Sequence, residues 1–251
     1  MAQASNSVIA VFSARACAAP LEEAAKLFER ETGIRVAIDV CSRHCASAAA
    51  EEATGTKGGD DFLDEIADAK LHDCAIGGAE FLLDDGEVRG IVRKGERRTI
   101  AYRRSCLVVP TGNPAKVKTL ADLAKPGMRV GISVIDCCKG MWEDVTARVG
   151  LMEAIRPNIT FFANGCVAIV EAVAQRKIDV AFGWAAFGHL QPGRIEVVEL
   201  PRDQQIFRGT GIALLSFSRN PADARRFMDF LTTPRARACY EKYGWVVTPG
   251  K

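Results

Sequence analysis

The chain has 251 residues, 48% of them apolar and 25% charged, with a net charge of +2. This is the profile of an ordinary globular protein with room for a substantial core, in one large domain or two lobes. The well-mixed charges exclude a nucleic-acid footprint and a polybasic membrane patch, and no run of about 18 apolar residues suggests a transmembrane helix.

The opening MAQASNS has neither a charged n-region nor an apolar h-region. Ala2-Gln3-Ala4 has the A-x-A form that precedes a signal cleavage site, which fits a chain trimmed near that point. Ser7 to Phe12 reads as a strand. A helix is predicted from Pro20 to Thr32, with Leu21, Ala24, Ala25 and Phe28 on one face, Pro20 in the first turn and Gly33 as the stop. Arg35 to Val40 is the next strand. An Ala-rich helix is predicted from about Cys45 to Thr54, then a loop from Gly55 to Asp61 and a short helix from Phe62 to Lys70. Asp73 to Gly77 reads as a buried strand. Arg98 to Val109 is a long extended stretch. Met128 to Ser133 is a strand, Gly140 to Val149 a helix, Asn158 to Ala163 a strand and Cys166 to Arg176 a helix. Ile178 to Gly183 and Arg194 to Leu200 are strands, and Gln204 to Ser218 is a second long extended stretch. Helices from Pro221 to Leu231 and Pro234 to Tyr243 close the chain.

Apolar strands alternating with helices predict an α/β fold with mostly parallel sheets covered on both faces. One long strand out and one back predict two lobes, residues 1–103 with 213–251 and residues 104–212, joined by a two-strand hinge with a ligand cleft between them. In such sheets ligands bind beyond the carboxyl ends of the strands. Six of the nine cysteines fall in loops at those ends, namely Cys17, Cys41, Cys45, Cys137, Cys138 and Cys166. Each precedes or opens a predicted helix, where the N-terminal dipole favours the thiolate. Thiolates select zinc, copper(I) and iron–sulfur centres. His44 is a further candidate ligand. Arg15, Arg43 and Lys139 lie in the same loops and can neutralise an anion. Cys74, Cys106 and Cys239 read as small buried hydrophobes, and His72 and His189 as structural.

The ordered motifs resemble the type II periplasmic solute-binding proteins of ABC importers, near their molybdate- and tungstate-binding group. The resemblance is carried by Pro20-Leu-Glu-Glu-Ala-Ala-Lys-Leu-Phe-Glu-Arg-Glu-Thr-Gly-Ile-Arg-Val, Arg98-Thr-Ile-Ala-Tyr with Leu107-Val-Val-Pro-Thr-Gly-Asn-Pro, Thr119-Leu-Ala-Asp-Leu-Ala-Lys-Pro-Gly-Met-Arg-Val-Gly, and Ile178-Asp-Val-Ala-Phe-Gly-Trp. It implies a non-enzymatic, periplasmic or cell-surface protein that closes on a small inorganic ligand and delivers it to a membrane permease. In that family serine hydroxyls, backbone N–H groups and a tyrosine hold an oxyanion. Here Ser13-Ala-Arg-Ala-Cys17, Cys41-Ser-Arg-His-Cys45, Asp136-Cys-Cys-Lys-Gly140 and Asn164-Gly-Cys166 place thiols in those loops, and Trp184 stands at the tyrosine position.

The expected ligand is a thiophilic metal centre, foremost an iron–sulfur-type cluster, on Cys17, Cys41, Cys45, Cys137, Cys138 and Cys166. The protein is then a monomer or a ligand-bridged dimer. The alternative is a molybdate- or tungstate-type oxyanion on backbone N–H groups with Ser13 and Ser42, the cysteines being structural or disulfide-bonded. A cysteine-dependent enzyme is the third reading. It lacks an orienting partner for His44, paired loop carboxylates and any GxSxG, phosphate-loop or dinucleotide motif. A regulator's effector domain shares the fold; the first few residues could not form a helix-turn-helix, so a regulator would have to be a fragment.

Overall fold

The computed structural model describes residues 7–42 and 62–249. Two compact units emerge, one from residues 7–42, 62–102 and 209–248, the other from residues 103–208. The helix expected near residues 45–54 and the loop after it lie outside the described residues.

In the first unit β1 (Val8–Ser13) pairs in parallel with β2 (Arg35–Val40) on one side and β3 (Cys74–Gly77) on the other. The sheet continues through β9 (Phe207–Leu215), antiparallel to β3, to β4 (Val92–Pro110). Helix α1 spans Arg15–Thr32, five residues longer than the sequence pattern suggests, with Pro20 inside it. Ala16, Ala18 and Ala19 are strong helix formers, and a proline this near the start removes only one intrahelical hydrogen bond. Gly33 closes the helix at φ 72° and donates its N–H to the Glu29 carbonyl, the left-handed stop that glycine adopts without strain. The apolar face of α1 packs on α6 (Pro221–Leu231), with the Phe28 and Phe227 rings 5.1 Å apart. Helix α7 (Pro234–Glu241) follows, capped by Thr233. Tyr240 from α7 meets Trp245 edge-on, and the Trp245 Nε1–H donates to Thr210 Oγ1 at 3.0 Å.

Helix α2 (Phe62–Ala69) matches expectation, whereas α3 (Glu80–Val88) has no clear sequence signature. Its interior Gly86 lowers helix propensity. The glycine is required by packing, since a Cβ there would lie 2.8 Å from Val92 Cγ2 and 3.3 Å from Leu63 Cδ2.

The second unit is built on β4, which pairs antiparallel with β7 (Val180–Trp184) and with β8 (Ile195–Glu199). Next come β5 (Val130–Ser133), parallel to β7, and β6 (Ile159–Ala163), parallel to β5. Helices α4 (Met141–Ala147) and α5 (Cys166–Ala174) follow β5 and β6. Gly183 lies where β4 and β7 face each other, and a Cβ there would stand 2.7 Å from Val108 Cγ2 and 3.0 Å from the Phe187 ring. Gly183→Ala is therefore expected to lower stability by about 1–3 kcal/mol through overpacking. The check is a lower urea midpoint at unchanged slope; an unchanged midpoint contradicts this packing.

Candidate functional site

Parallel pairing of β5 with β6 sends both following turns out at the same end of the sheet, with Ser133 opposite Ala163. Ser133 fastens the two turns together. Its Oγ accepts the Gly165 N–H at 3.2 Å and donates to the Ile135 carbonyl at 3.4 Å, while Val134 N–H donates to the Ala163 carbonyl at 3.1 Å. The turn after β5 carries Cys137 and Cys138 in a single 3₁₀ turn. Gly140, at φ 70°, then opens α4. The turn after β6 ends at Gly165, and Cys166 is the first residue of α5.

All three thiols are buried, at 5%, 3% and 7% exposure. The Cys137 and Cys138 sulfurs are 3.9 Å apart. Hydrogen bonds from Cys138 and then Cys166, with the Arg103 charge nearby, hold the Cys137 thiol well below the ordinary thiol range despite burial. Cys138 is pushed up by that neighbour and by burial. The two neighbouring thiols are thus pushed in opposite directions, Cys137 toward the thiolate and Cys138 away from it.

Two arginines surround it. Arg103, fully buried on β4, lies with its guanidinium carbon 4.9 Å from the Trp184 ring centre and interacts with the Cys137 sulfur. Arg208, part-buried, lies 5.7 Å over the same ring. It donates to the carbonyls of Cys137 at 3.1 Å and Lys139 at 2.8 Å and to Asp144 Oδ2 at 2.8 Å. Cation–π stacking on a buried indole holds both guanidiniums in place. Trp184 is fully buried, and its Nε1–H has no hydrogen-bond acceptor among the described residues.

The other candidates are placed as follows. Cys17 is buried inside α1 rather than in a loop before it, because that helix starts early. It lies near Tyr240, whose hydroxyl is pushed up by burial and then by the Cys17 and Cys239 thiols. Cys41 is fully buried and disulfide-bonded, so in this state its sulfur is not a thiolate ligand. Arg15 is exposed and reaches the Cys41 carbonyl at 3.4 Å. Ser13 is fully buried and donates its hydroxyl to the Ala14 carbonyl at 3.0 Å. Ser42 is exposed and donates both its N–H and its hydroxyl to Glu65 Oε1 at 3.0 Å. Lys139 is exposed. Arg43, His44 and Cys45 lie outside the described residues. Among the described residues no group of three or more His, Cys, Asp or Glu side chains is placed to hold a metal ion.

Cys74 and Cys106 sit in the sheets, and burial pushes both thiols up strongly; Cys239 is pushed up too, again by burial. His72 is bonded to Asp39 at 2.8 Å and packs on Phe12.

Comparison with known proteins places the chain. Residues 9–246 match the model of the bacterial extracellular solute-binding proteins. The chain belongs to that family. Molybdate-binding protein ModA of Mycobacterium bovis is 22% identical over 151 residues, covering 60% of this chain and 57% of that protein. Peb3 from Campylobacter jejuni superposes with a TM-score of 0.75 at 18% identity, covering 96% of this chain and all of Peb3. The periplasmic molybdate-binding protein of Azotobacter vinelandii gives a TM-score of 0.72 at 20% identity, covering 96% of this chain and 99% of its own. The mixed α/β architecture is thus that of the type II periplasmic binding proteins. No helix among the described residues is long and apolar enough to cross a membrane.

Proposed function

We propose that the chain is the extracytoplasmic solute-binding component of an ABC importer, and that its solute is a small thiophilic inorganic species captured at Cys137, Cys138 and Cys166. Family membership supports the transport role, and with it a membrane permease as partner. The observation that supports the solute class is the buried Cys137–Cys138 pair with sulfurs 3.9 Å apart, with Cys166 and the Arg103 charge acting on Cys137. Such a set suits a soft acceptor and not a hard cation.

The spacing also bears on what is bound. Two thiolates on one tetrahedral zinc, with Zn–S near 2.3 Å, stand about 3.8 Å apart. The Cys137–Cys138 separation of 3.9 Å is of that size. Thiolates capping separate irons of a cluster share no atom that would draw them so close. The pair therefore favours a single soft centre over the iron–sulfur cluster expected from loop placement alone. Cys166, hydrogen-bonded to Cys137, is the third ligand such a centre would recruit.

A second reading is an oxyanion. It is favoured by two guanidiniums and a buried indole N–H on one site, and by the solutes named for the molybdate-binding relatives. Equilibrium dialysis separates the two. Reduced protein is offered copper(I), zinc, or molybdate, before and after cysteine alkylation. The thiophilic reading expects soft-ion binding that alkylation removes. Molybdate binding that survives alkylation, with no soft-ion uptake, overturns it.

A further inference from the structure

We propose that the solute is the oxyacid of a trivalent metalloid, of the arsenite or antimonite class, bonded to the sulfurs of Cys137 and Cys138 and hydrogen-bonded by Trp184 Nε1–H. The inference rests on the thiophilic reading above and supplies the other half of the solute. A bare soft cation satisfies the sulfurs but leaves a buried indole donor that has no acceptor among the described residues, and a buried tryptophan N–H usually has one. A bare cation would also enter beside two guanidiniums. The same two arginines link the two halves of the site. Arg103 and Arg208 both stack on the Trp184 ring. The Arg103 charge also acts on the Cys137 thiol, and Arg208 donates to the Cys137 carbonyl at 3.1 Å. A ligand that fits must offer a soft atom to the sulfurs and an oxygen to the indole.

A trihydroxy metalloid does both. Each sulfur displaces one hydroxyl: two metalloid–oxygen bonds break, two metalloid–sulfur bonds form, and two waters leave. The thiol protons go with those waters; for a sulfur already ionised, the proton is drawn from solvent. The oxidation state of the metalloid is unchanged, so no oxidant or reductant is needed. The sulfurs, 3.9 Å apart, are close enough for one atom to bridge them. The remaining hydroxyl oxygen accepts from the indole, and Cys166 stays beside the Cys137 sulfur.

The test uses the reduced protein with arsenite, with phenylarsine oxide, and separately with copper(I) or zinc, read by intact mass and by dialysis with elemental analysis. One arsenic per chain is expected, lost in C138S. W184F is expected to bind arsenite about tenfold more weakly, equivalent to about 1.4 kcal/mol, and phenylarsine oxide unchanged, because the phenyl adduct on two sulfurs keeps no hydroxyl. Equal weakening of both arsenicals in W184F overturns the indole contact. No arsenic uptake, with copper(I) or zinc still held by the same thiols, overturns the metalloid assignment while the thiophilic reading stands. No uptake of any of them overturns both.

Discussion

Replacing Cys137, Cys138 and Cys166 together by serine is expected to abolish soft-solute binding, with a loss of at least about a hundredfold in affinity. A serine hydroxyl remains protonated near neutral pH and is a hard ligand, so it cannot replace a thiolate toward a soft centre. The effect belongs to these three residues because, among the described residues, they combine burial in adjoining turns with a thiol whose pKa is lowered by its two sulfur neighbours and the Arg103 charge. The matching control is C239S, which removes a thiol from α7 in the other unit and is expected to leave binding unchanged. Thermal melting of both variants separates lost ligation from lost folding. Full binding by the folded triple variant contradicts the assignment.

Asp73→Ala is expected to destabilise the first unit by about 3–5 kcal/mol, among the largest effects of any single change outside the thiol cluster. Asp73 is buried at 4% exposure just before β3. Its Oδ2 accepts the Ala10 N–H at 3.0 Å. Its Oδ1 accepts the Ser218 hydroxyl at 2.8 Å, the Arg219 N–H at 2.9 Å and the Asn220 N–H at 2.8 Å. One carboxylate thus ties β1 to the turn that leads into α6. Hydrogen bonds to a charged acceptor contribute about 1.5–3 kcal/mol each, and removing the acceptor leaves buried donors unsatisfied. Burial alone would raise the Asp73 pKa, but the bonds from Ala10, Asn220, Ser218 and Arg219 outweigh it and leave the group below the ordinary aspartate value. The sign follows. The stabilisation is present above the unfolded pKa of about 3.9 and is lost as pH falls through the lower folded value. Wild-type melting temperature is expected to fall steeply below about pH 4, and the fall to be shallower in D73A. Parallel pH profiles for the two proteins contradict this role.

Much of the fold could be read directly because local periodicity and tertiary burial agree. The strands Arg35–Val40 and Ile159–Ala163 and the helix Pro221–Leu231 emerge close to their expected bounds. Misreadings arise where packing overrides a local signal. Pro20 marks a helix start in the sequence, yet the alanines before it carry the helix back to Arg15, which moves Cys17 out of a loop. Gly86 argues against a helix until its contact with Val92 is seen.

The site is only partly readable. The loops after β5 and β6 can be inferred from strand-to-helix alternation, and Cys137, Cys138 and Cys166 with them. Arg103 and Arg208 escape notice because arginines in long strands look like solvent-facing charge. The available signal is period two. Arg103 shares its strand face with Ser105 and Leu107, all three buried, so the guanidinium must point inward. A disulfide at Cys41 is among the alternatives the sequence leaves open, since nine cysteines permit many pairings.

The central claim, that the thiols of the second unit are the solute ligands, is tested most directly by X-ray absorption at the zinc edge on zinc-loaded, reduced protein. Sulfur neighbours at about 2.3 Å, lost in the Cys137, Cys138 and Cys166 serine variant, are the predicted result. A shell of nitrogen and oxygen alone at about 2.0–2.1 Å, unchanged by that variant, would contradict the account.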